Sequence, residues 1–236
     1  MLSGSEKYYD DIYGSMGKDY AEEADRLHGF IQKYKSTDGV TLLDVACGTG
    51  THAGLLNKNY QVEGVDLNAA MLKVARKKHP EIRFFRADMR TLDLGRQFDV
   101  ITCLFSAIGY MKTKTELHKA VKTMSRHLLP GGVLLLEPWF TPEQWNVGRI
   151  STIHVDKPDI QIVRMSHSGK RGKTSVLGFY YLIGTSKGIK QIVEHHEFGL
   201  FSHEEYLDAL RKAGLRATHE REGVDGRGLY IGTKSL

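Results

Sequence analysis

Two cysteines in 236 residues are too few for a disulfide framework. Neither Cys47 nor Cys103 has the His, Cys or carboxylate neighbours of a zinc site, so no metal is expected. Both sit in apolar, strand-like contexts, which fits a reducing compartment. No uninterrupted apolar run approaches the ~20 residues that a membrane helix needs. The stretch Met1 to Asp11 is polar and aromatic where a signal peptide would carry an apolar core, so a cytoplasmic location is expected. A long basic tract is missing too. The formal charge of +5 is dispersed, apart from Lys170, Arg171 and Lys173 and the pair Lys187 and Lys190, and reads as solvated surface rather than a nucleic-acid tract. There is no internal repeat and no low-complexity segment. What remains, 41% hydrophobic and 26% charged, is an ordinary globular composition long enough for one domain with an insertion.

From Tyr20 to Tyr34, the residues Ala24, Leu27, Phe30, Ile31 and Tyr34 recur at three- and four-residue spacing, which predicts an amphipathic helix. The preceding Tyr8-Tyr9-Asp10-Asp11-Ile12-Tyr13-Gly14 is too polar for a core strand and is either a disordered lead-in or a lid over a ligand. From Thr41 onward, strand patterns (Thr41 to Val45, Gln61 to Val65, Ile82 to Arg86, Asp99 to Leu104, Gly132 to Glu137) alternate with helical ones (Thr51 to Asn57, Asn68 to Lys78, Thr115 to Leu128). Asn68, and Thr113 or Thr115, read as N-caps, and Pro130-Gly131-Gly132 reads as a helix stop. That rhythm predicts a doubly wound, mostly parallel sheet. After Pro138 the rhythm changes. Ser151 to Asp156, Ile160 to His167, Thr174 to Thr185 and Ile189 to Phe198 read as antiparallel hairpins with no helix between them. Ser202-x-x-Glu205 then opens a helix through Lys212, Gly214 ends it, and Arg216 to Glu222 with Leu229 to Lys234 close the sheet. The expected division is a lid and helix over 1–40, a nucleoside-binding core over 41–138 and 200–236, and an inserted antiparallel sheet over 139–199.

Ligands of doubly wound sheets bind at the carboxyl ends of the strands. The first strand ends in Asp44-Val45-Ala46-Cys47-Gly48-Thr49-Gly50, whose glycines let a ligand approach main-chain N–H groups. The second ends in Asp66, sixteen positions after Gly50, where a carboxylate can accept from both ribose hydroxyls. The third leads into Asp88-Met89, an acceptor for an adenine amino group beside a side chain that can lie on the ring. The fourth ends in Leu104-Phe105-Ser106, suited to the other face of the base. Together these predict a nucleoside-containing cofactor. Asp44 then separates two candidates. It would repel the pyrophosphate of a dinucleotide, but attract the ammonium and sulfonium of S-adenosylmethionine, directly or through the loop. Alternatively, or as well, it caps the donors of its own glycine loop.

Leu42 to Gly50, Asp66, Asp88-Met89 and Pro130-Gly131-Gly132 resemble the class I S-adenosylmethionine-dependent methyltransferases over roughly 41 to 137. Gly17-Lys18-Asp19-Tyr20-Ala21, Asp44 to His52, Asp88-Met89-Arg90, Gly109-Tyr110, Glu137-Pro138-Trp139, Ser166-His167-Ser168 and Gly226-Arg227-Gly228-Leu229 extend the likeness over nearly the whole chain. They resemble the N,N-dimethyltransferases of dTDP-3-amino-3,6-dideoxyhexoses. The resemblance implies a seven-stranded Rossmann-like sheet with a reversed hairpin at its end. It implies Tyr13 in a lid near the sulfonium and the reacting amine, and a pocket formed by Asp44, Ala46, Gly48, Gly50, Asp66, Asp88, Met89 and Leu104. Glu137, Trp139, His167, Ser168 and Arg227 would face a dTDP-aminosugar, and S-adenosylhomocysteine would be the second product. Tyr13 and His127 are the candidate proton acceptors, and a homodimer is the oligomeric expectation.

On their own chemistry, several of these residues have plainer readings. His127, before Pro130, would be a charge partner at a helix C-terminus, His167 a satisfied strand histidine, Arg227 a turn arginine, and Trp139 and Trp145 core aromatics. Methyl transfer to an amine needs alignment more than a strong base. Two other enzyme readings stay open. One is a different small-molecule acceptor. The other is a nucleic-acid methyltransferase, disfavoured because strand four lacks an Asn/Asp-Pro-Pro-aromatic motif and no Pro-Cys pair occurs. A non-catalytic cofactor-binding regulator is disfavoured by intact Asp44, Asp66 and Asp88.

Overall fold

A strand that is apolar on both faces can be stable only between two layers of helix. The first strand, β1 (Thr41–Val45), is of that kind, with Leu42, Leu43 and Val45 buried. In the computed structural model, which describes residues 4–236, it lies centrally in a seven-stranded sheet. The other members are β2 (Gln61–Asp66), β3 (Arg83–Arg86), β4 (Phe98–Cys103), β5 (Leu128–Leu136), β10 (Leu215–Glu220) and β11 (Leu229–Lys234), in the order β10-β11-β5-β4-β1-β2-β3. All neighbours pair in parallel except β11, which runs antiparallel to both β5 and β10. The order turns back between β1 and β4, and a crevice opens there beyond the strand ends.

The two faces of β1 bury against different helices. Leu43 and Val45 join Leu117, Val121 and Met124 of α5 (Lys114–Arg126) and Tyr206 and Leu210 of α6 (His203–Lys212). Leu42 joins Leu27 and Ile31 of α2 (Tyr20–Tyr34), Ala53 and Leu56 of α3 (Thr51–Leu56), and Leu72 and Ala75 of α4 (Ala69–Lys78). Side-chain caps fix where these helices start. Asp19 accepts from Ala21 and Glu22, Asn68 from Ala70 and Met71, and Thr113 from Glu116, while Ser202 and Glu205 close a reciprocal capping box.

The region expected as hairpins is a separate four-stranded antiparallel sheet of β6 (Ile150–Lys157), β7 (Ile160–Arg171), β8 (Thr174–Thr185) and β9 (Gly188–Gly199). Its inner face carries Val155, Ile162, Phe179, Tyr181, Ile183 and Ile192, which bury Ile12 of α1 (Tyr9–Gly14). The aromatic lead-in is therefore helical. Residues 1–3 of the expected 1–40 segment lie outside the described residues.

One boundary differs from the sequence expectation. The helix before β5 ends at Arg126, and the chain pairs as strand from Leu128, with a register shift against β4 that accommodates Pro130 and Gly131. Pro130-Gly131-Gly132 is thus an irregularity inside a strand edge rather than the helix stop. No helix among the described residues is long and apolar enough to cross a membrane.

Candidate active site

Beyond the carboxyl ends of β1, β2 and β4 lies a cavity of about 1280 Å³ that reaches under the inserted sheet. Small-molecule pockets run to roughly 300–1,000 Å³, so this one has room for two ligands side by side.

The half over the parallel sheet is lined by Ala46, Gly48, Asp66, Asp88, Met89 and Leu104. Ala46 (φ 60°), Gly48 (φ 56°) and Gly50 (φ 76°) turn the chain sharply after β1. Gly48 faces open space, whereas a Cβ on Gly50 would stand 3.1 Å from Phe84 and 3.2 Å from Ala75. Gly50 therefore serves the packing of the loop on β3 and α4 and is not part of the cavity lining. The Asp66 carboxylate accepts from the Gly48 N–H (2.8 Å) and the Asn68 N–H (2.7 Å), which fixes its orientation and leaves lone pairs toward the cavity. Burial raises its pKa, and those backbone donors oppose the rise. Asp88 is held differently. Arg90 forks onto both its oxygens (3.0 and 2.6 Å) and lowers its pKa, and Arg90 also reaches Glu116 at 2.5 Å.

Asp44 lies beneath the loop, fully buried. Thr102 donates to one oxygen at 2.9 Å and the other has no hydrogen-bond partner. Burial is the main cause that lifts its pKa to about 6, with His52 opposing. The proposed cap on the loop's own donors is not formed, because Asp66 takes the Gly48 N–H instead. Nor does Asp44 line the cavity, so any pull on a cationic cofactor acts through the loop. An unpaired buried carboxylate oxygen under the turn, with Asp66, Asp88, Asp19 and Glu23 around the opening, suits a cofactor carrying positive charge and no phosphate.

The other half is lined by Tyr13, Tyr110, Trp139, Arg164, Ser168 and Arg227, among others. Side chains alternate across a strand, so Arg164, Ser166 and Ser168 of β7 point inward and are buried, while Met165 and His167 are exposed on the outer face. His167 is therefore removed from the substrate set. Ser168 stays in the lining, although its hydroxyl donates to the Asn146 carbonyl (2.6 Å) and accepts from the Arg149 N–H (2.9 Å), ordering that loop. Trp139 donates to Ser175 at 2.9 Å and stacks on Phe198 with centroids 4.5 Å apart, so it is both core and wall.

Arg227, read from the sequence as a turn arginine or a contact to the sugar nucleotide, lies between Gly226 and Gly228. It is largely enclosed, bonded to Asp225 (2.8 Å) and Ser106 (3.1 Å) and 3.4 Å from Glu137. Glu137 is wholly buried and does not line the cavity. Its other oxygen accepts from the Phe105 N–H at 2.7 Å, and burial raises its pKa. It supports the site from behind, by holding Arg227 and the turn at Phe105 and Ser106. Both of these non-glycine residues have φ near +55°, a conformation that persists only when its surroundings fix it. Here Ser106 also donates to the Pro138 carbonyl at 2.6 Å.

Tyr13 meets Phe105 edge-on at 4.8 Å, and the Arg164 guanidinium lies 5.4 Å from its ring. Helix α1 is tied down by Asp10, which accepts from Thr49 (2.6 Å), Thr51 (2.9 Å) and Lys78 (2.6 Å). His127 is a correction. It caps α5, its Nδ1 bonds the Thr123 carbonyl (2.8 Å), its Nε2 accepts from the Leu94 N–H (3.1 Å), and it lies outside the cavity. With both nitrogens engaged by backbone, it has no route to a reacting amine.

Sequence reasoning missed several lining residues. Lys18 and Glu23 pair at the rim beside α2, with His52 2.8 Å from Glu23. Arg164 is buried in the wall. Alternation from Ser168 would have found Arg164, whereas the Lys18–Glu23 pair spans a helix start and leaves no periodic trace.

A methyltransferase domain model matches residues 42–132. The dTDP-3-amino-3,6-dideoxy-alpha-D-glucopyranose N,N-dimethyltransferase of Streptomyces fradiae is 38% identical over 95% of this chain and 88% of its own length. The structure of DesVI from Streptomyces venezuelae superposes with a TM-score of 0.94 at 35% identity, covering 100% of both chains. CalS10, an amino pentose methyltransferase from Micromonospora echinaspora solved with S-adenosylmethionine bound, gives 0.87 at 36% identity over 96% of each. The cofactor of this chain is S-adenosylmethionine, and the chain belongs to the family of S-adenosylmethionine-dependent methyltransferases that includes the dTDP-aminosugar N,N-dimethyltransferases.

Proposed function

We propose that this enzyme methylates the amino group of a nucleotide-linked deoxyaminosugar. The observation that carries the reading is the single cavity with two unlike halves. One is acidic and lies at the strand ends; the other is aromatic and basic, under a sheet that the cofactor does not need. In this reading the segments 41–138 and 200–236 hold the cofactor and 139–199 holds the acceptor, with 1–40 covering both. S-adenosylmethionine supplies a methyl group on a sulfonium, electrophilic enough for direct displacement. Asp66 holds the ribose hydroxyls, Met89 and Leu104 flank the base, and Tyr13 faces the transfer point. Asp88 serves the adenine amino group only with lone pairs that Arg90 leaves over. Arg149, Arg164 and Arg227, the last with its charge partly spent on Asp225 and Glu137, are among the lining cations that could meet a diphosphate. Trp139 provides a flat wall for a base or sugar. The chain's share of the rate is alignment of amine and methyl in a closed space.

The outer face of the inserted sheet, where Ile150, Met165, Leu182 and Ile189 are at least half exposed, is where the expected homodimer would pair. The test of function is a panel of dTDP-linked 3-amino and 4-amino hexoses and amino pentoses, incubated with S-adenosylmethionine and read by mass. A gain of one or two methyl groups on at least one member is expected. No gain on any member would move the acceptor to another small molecule.

A further inference from the structure

The loop between β10 and β11 brings an acid and an arginine, two positions apart, to the wall of the acceptor half. Gly226, at φ 86°, turns the chain between them, so that the Asp225 carboxylate meets the Arg227 guanidinium. The turn holds the acid in place. Its Oδ1 accepts from the Arg227 backbone N–H at 3.2 Å, and its Oδ2 accepts from Nε at 2.8 Å and from Nη2. The loop is anchored on either side of the pair. Val224 is buried and its carbonyl accepts from Arg26 of α2 at 3.3 Å, while the Gly226 N–H donates to the Glu222 carbonyl at 2.8 Å. Both side chains stay partly open, 18% for Asp225 and 25% for Arg227, so a ligand in the cavity can reach them.

An arginine carries five N–H bonds. Asp225 takes the one on Nε and one on Nη2, which together form an edge that forks onto a phosphate. One hydrogen of Nη1 goes to Ser106 at 3.1 Å, and Glu137 Oε1 lies 3.4 Å from Nη2. Among the described residues, a single Nη1 N–H is left without a protein acceptor. The charge balance agrees, since two carboxylates face one guanidinium. Burial by itself would raise the Asp225 pKa, but the bonds from Arg227 outweigh it and hold the carboxyl below its ordinary value. The acid is therefore ionised at neutral pH. Glu137 is wholly buried and also holds the Phe105 N–H, so it cannot be displaced from the cavity side. Asp225 can.

We propose that Asp225 sets the affinity for the sugar nucleotide, by occupying the forking edge of Arg227 so that the substrate diphosphate must exchange with it. This rests on the aminosugar reading, because it presumes a diphosphate in the acceptor half. Carboxylate and phosphate accept from the same two N–H bonds. What the diphosphate gains from Arg227 is then the difference between two charge-assisted pairs, not the full strength of one.

The consequence falls on binding rather than on chemistry. The diphosphate is the same in substrate, transition state and product, so contacts to it lower KM without raising kcat. An acid that offsets part of that affinity leaves methyl transfer untouched. It also lets the methylated sugar nucleotide leave sooner, because Asp225 refills its place on Arg227.

The test compares wild type, Asp225→Asn, Arg227→Gln and the double variant, by calorimetry beside S-adenosylhomocysteine with dTDP as the probe. Asp225→Asn removes the charge and keeps an acceptor for the Arg227 backbone N–H, so the turn should persist. It should bind dTDP about tenfold more tightly than wild type does. With a dTDP-aminosugar that wild type methylates, its KM should fall by a similar factor while kcat does not rise, as stronger uniform binding requires. In the Arg227→Gln background the same substitution should move the dTDP Kd by no more than about threefold. The S-adenosylhomocysteine Kd of Asp225→Asn should stay within about twofold of wild type. Unchanged or weaker dTDP binding in Asp225→Asn would overturn the proposal. Equal tightening with and without Arg227 would overturn it too, since Asp225 would then act by plain repulsion of the phosphates. Wild type that binds neither dTDP nor any dTDP-aminosugar would overturn the nucleotide reading itself, before any variant is compared.

Discussion

The two halves of the cavity are built by different rules. The cofactor half sits at strand ends, where each residue's place follows from its distance to a glycine turn or a strand terminus. Asp66 and Gly48 meet because β1 and β2 are adjacent and parallel, with Asp44 opposite Gly64 and Val45 opposite Val65. The acceptor half is the face of an antiparallel sheet joined to a turn and a helix that lie far apart in sequence. Arg227 and Ser106, separated by 121 positions, are bonded there. A local motif can specify the first kind of site. The second kind is specified only by strand alternation and by contacts that form when the sheet docks.

Breaking one half at a time gives the largest effects. Asp66→Asn removes the carboxylate that pins the glycine loop and that, in the proposed function, bonds the ribose. It should weaken S-adenosylmethionine by about 2 kcal/mol, roughly thirtyfold, while leaving the aminosugar Kd unchanged. Arg227→Gln should do the reverse to the aminosugar, with a similar magnitude and little change in cofactor affinity. Calorimetry with each ligand separately reads both arms. Loss of both ligands in either variant would mean that the halves are one site.

Asp44 offers a smaller, pH-dependent contrast. Burial holds its pKa near 6, above the ~3.9 of an exposed aspartate, so the folded chain keeps a proton that the unfolded chain has released. Stability contributed by this group therefore falls as pH rises from about 4 to 6, and the cost is complete above that window. Asp44→Asn, which keeps an acceptor for Thr102, should be more stable than wild type by about 2 kcal/mol at pH 7 and nearly equal at pH 4. Its affinity for the cationic cofactor should drop. Denaturant titrations at the two pH values measure the first effect. Equal stabilities at both would show that Asp44 is not strained by its burial.

These contrasts follow what could and could not be read from residues alone. The alternating rhythm, the caps at Asn68 and Ser202, the cap at Thr113 as one of two candidates with Thr115, and the inserted hairpins were all legible, because they depend on neighbours a few positions apart. The strand-end acids were legible as a group. Their separate jobs were not, because whether Asp44 or Asp66 takes the Gly48 N–H depends on register between strands. Ser166-His167-Ser168 was read as a unit from resemblance, although a period of two already separates His167 from its neighbours. Glu137 looked like a contact and is a buried support, since nothing local reveals the cation that Arg227 places 3.4 Å from it. Pro130-Gly131 looked like a helix end because strand bulges and helix stops use the same residues.

The smallest effects belong to His127 and His167, the two candidate site histidines that lie outside the cavity. His127→Asn should lower stability by about 1 kcal/mol through the bonds to Thr123 and Leu94, and leave kcat within a factor of about two. His167→Ala should change neither stability nor turnover beyond about 0.5 kcal/mol. Thermal melts and initial rates check both. A large loss of kcat in either would restore it to the site.

The central claim is that one cavity holds both reactants at once, in halves that bind independently. The direct measurement saturates the protein with S-adenosylhomocysteine and titrates in a dTDP-aminosugar by calorimetry. One equivalent should bind with an affinity close to that of the free protein. Exclusion of the aminosugar by the bound cofactor product would contradict the account.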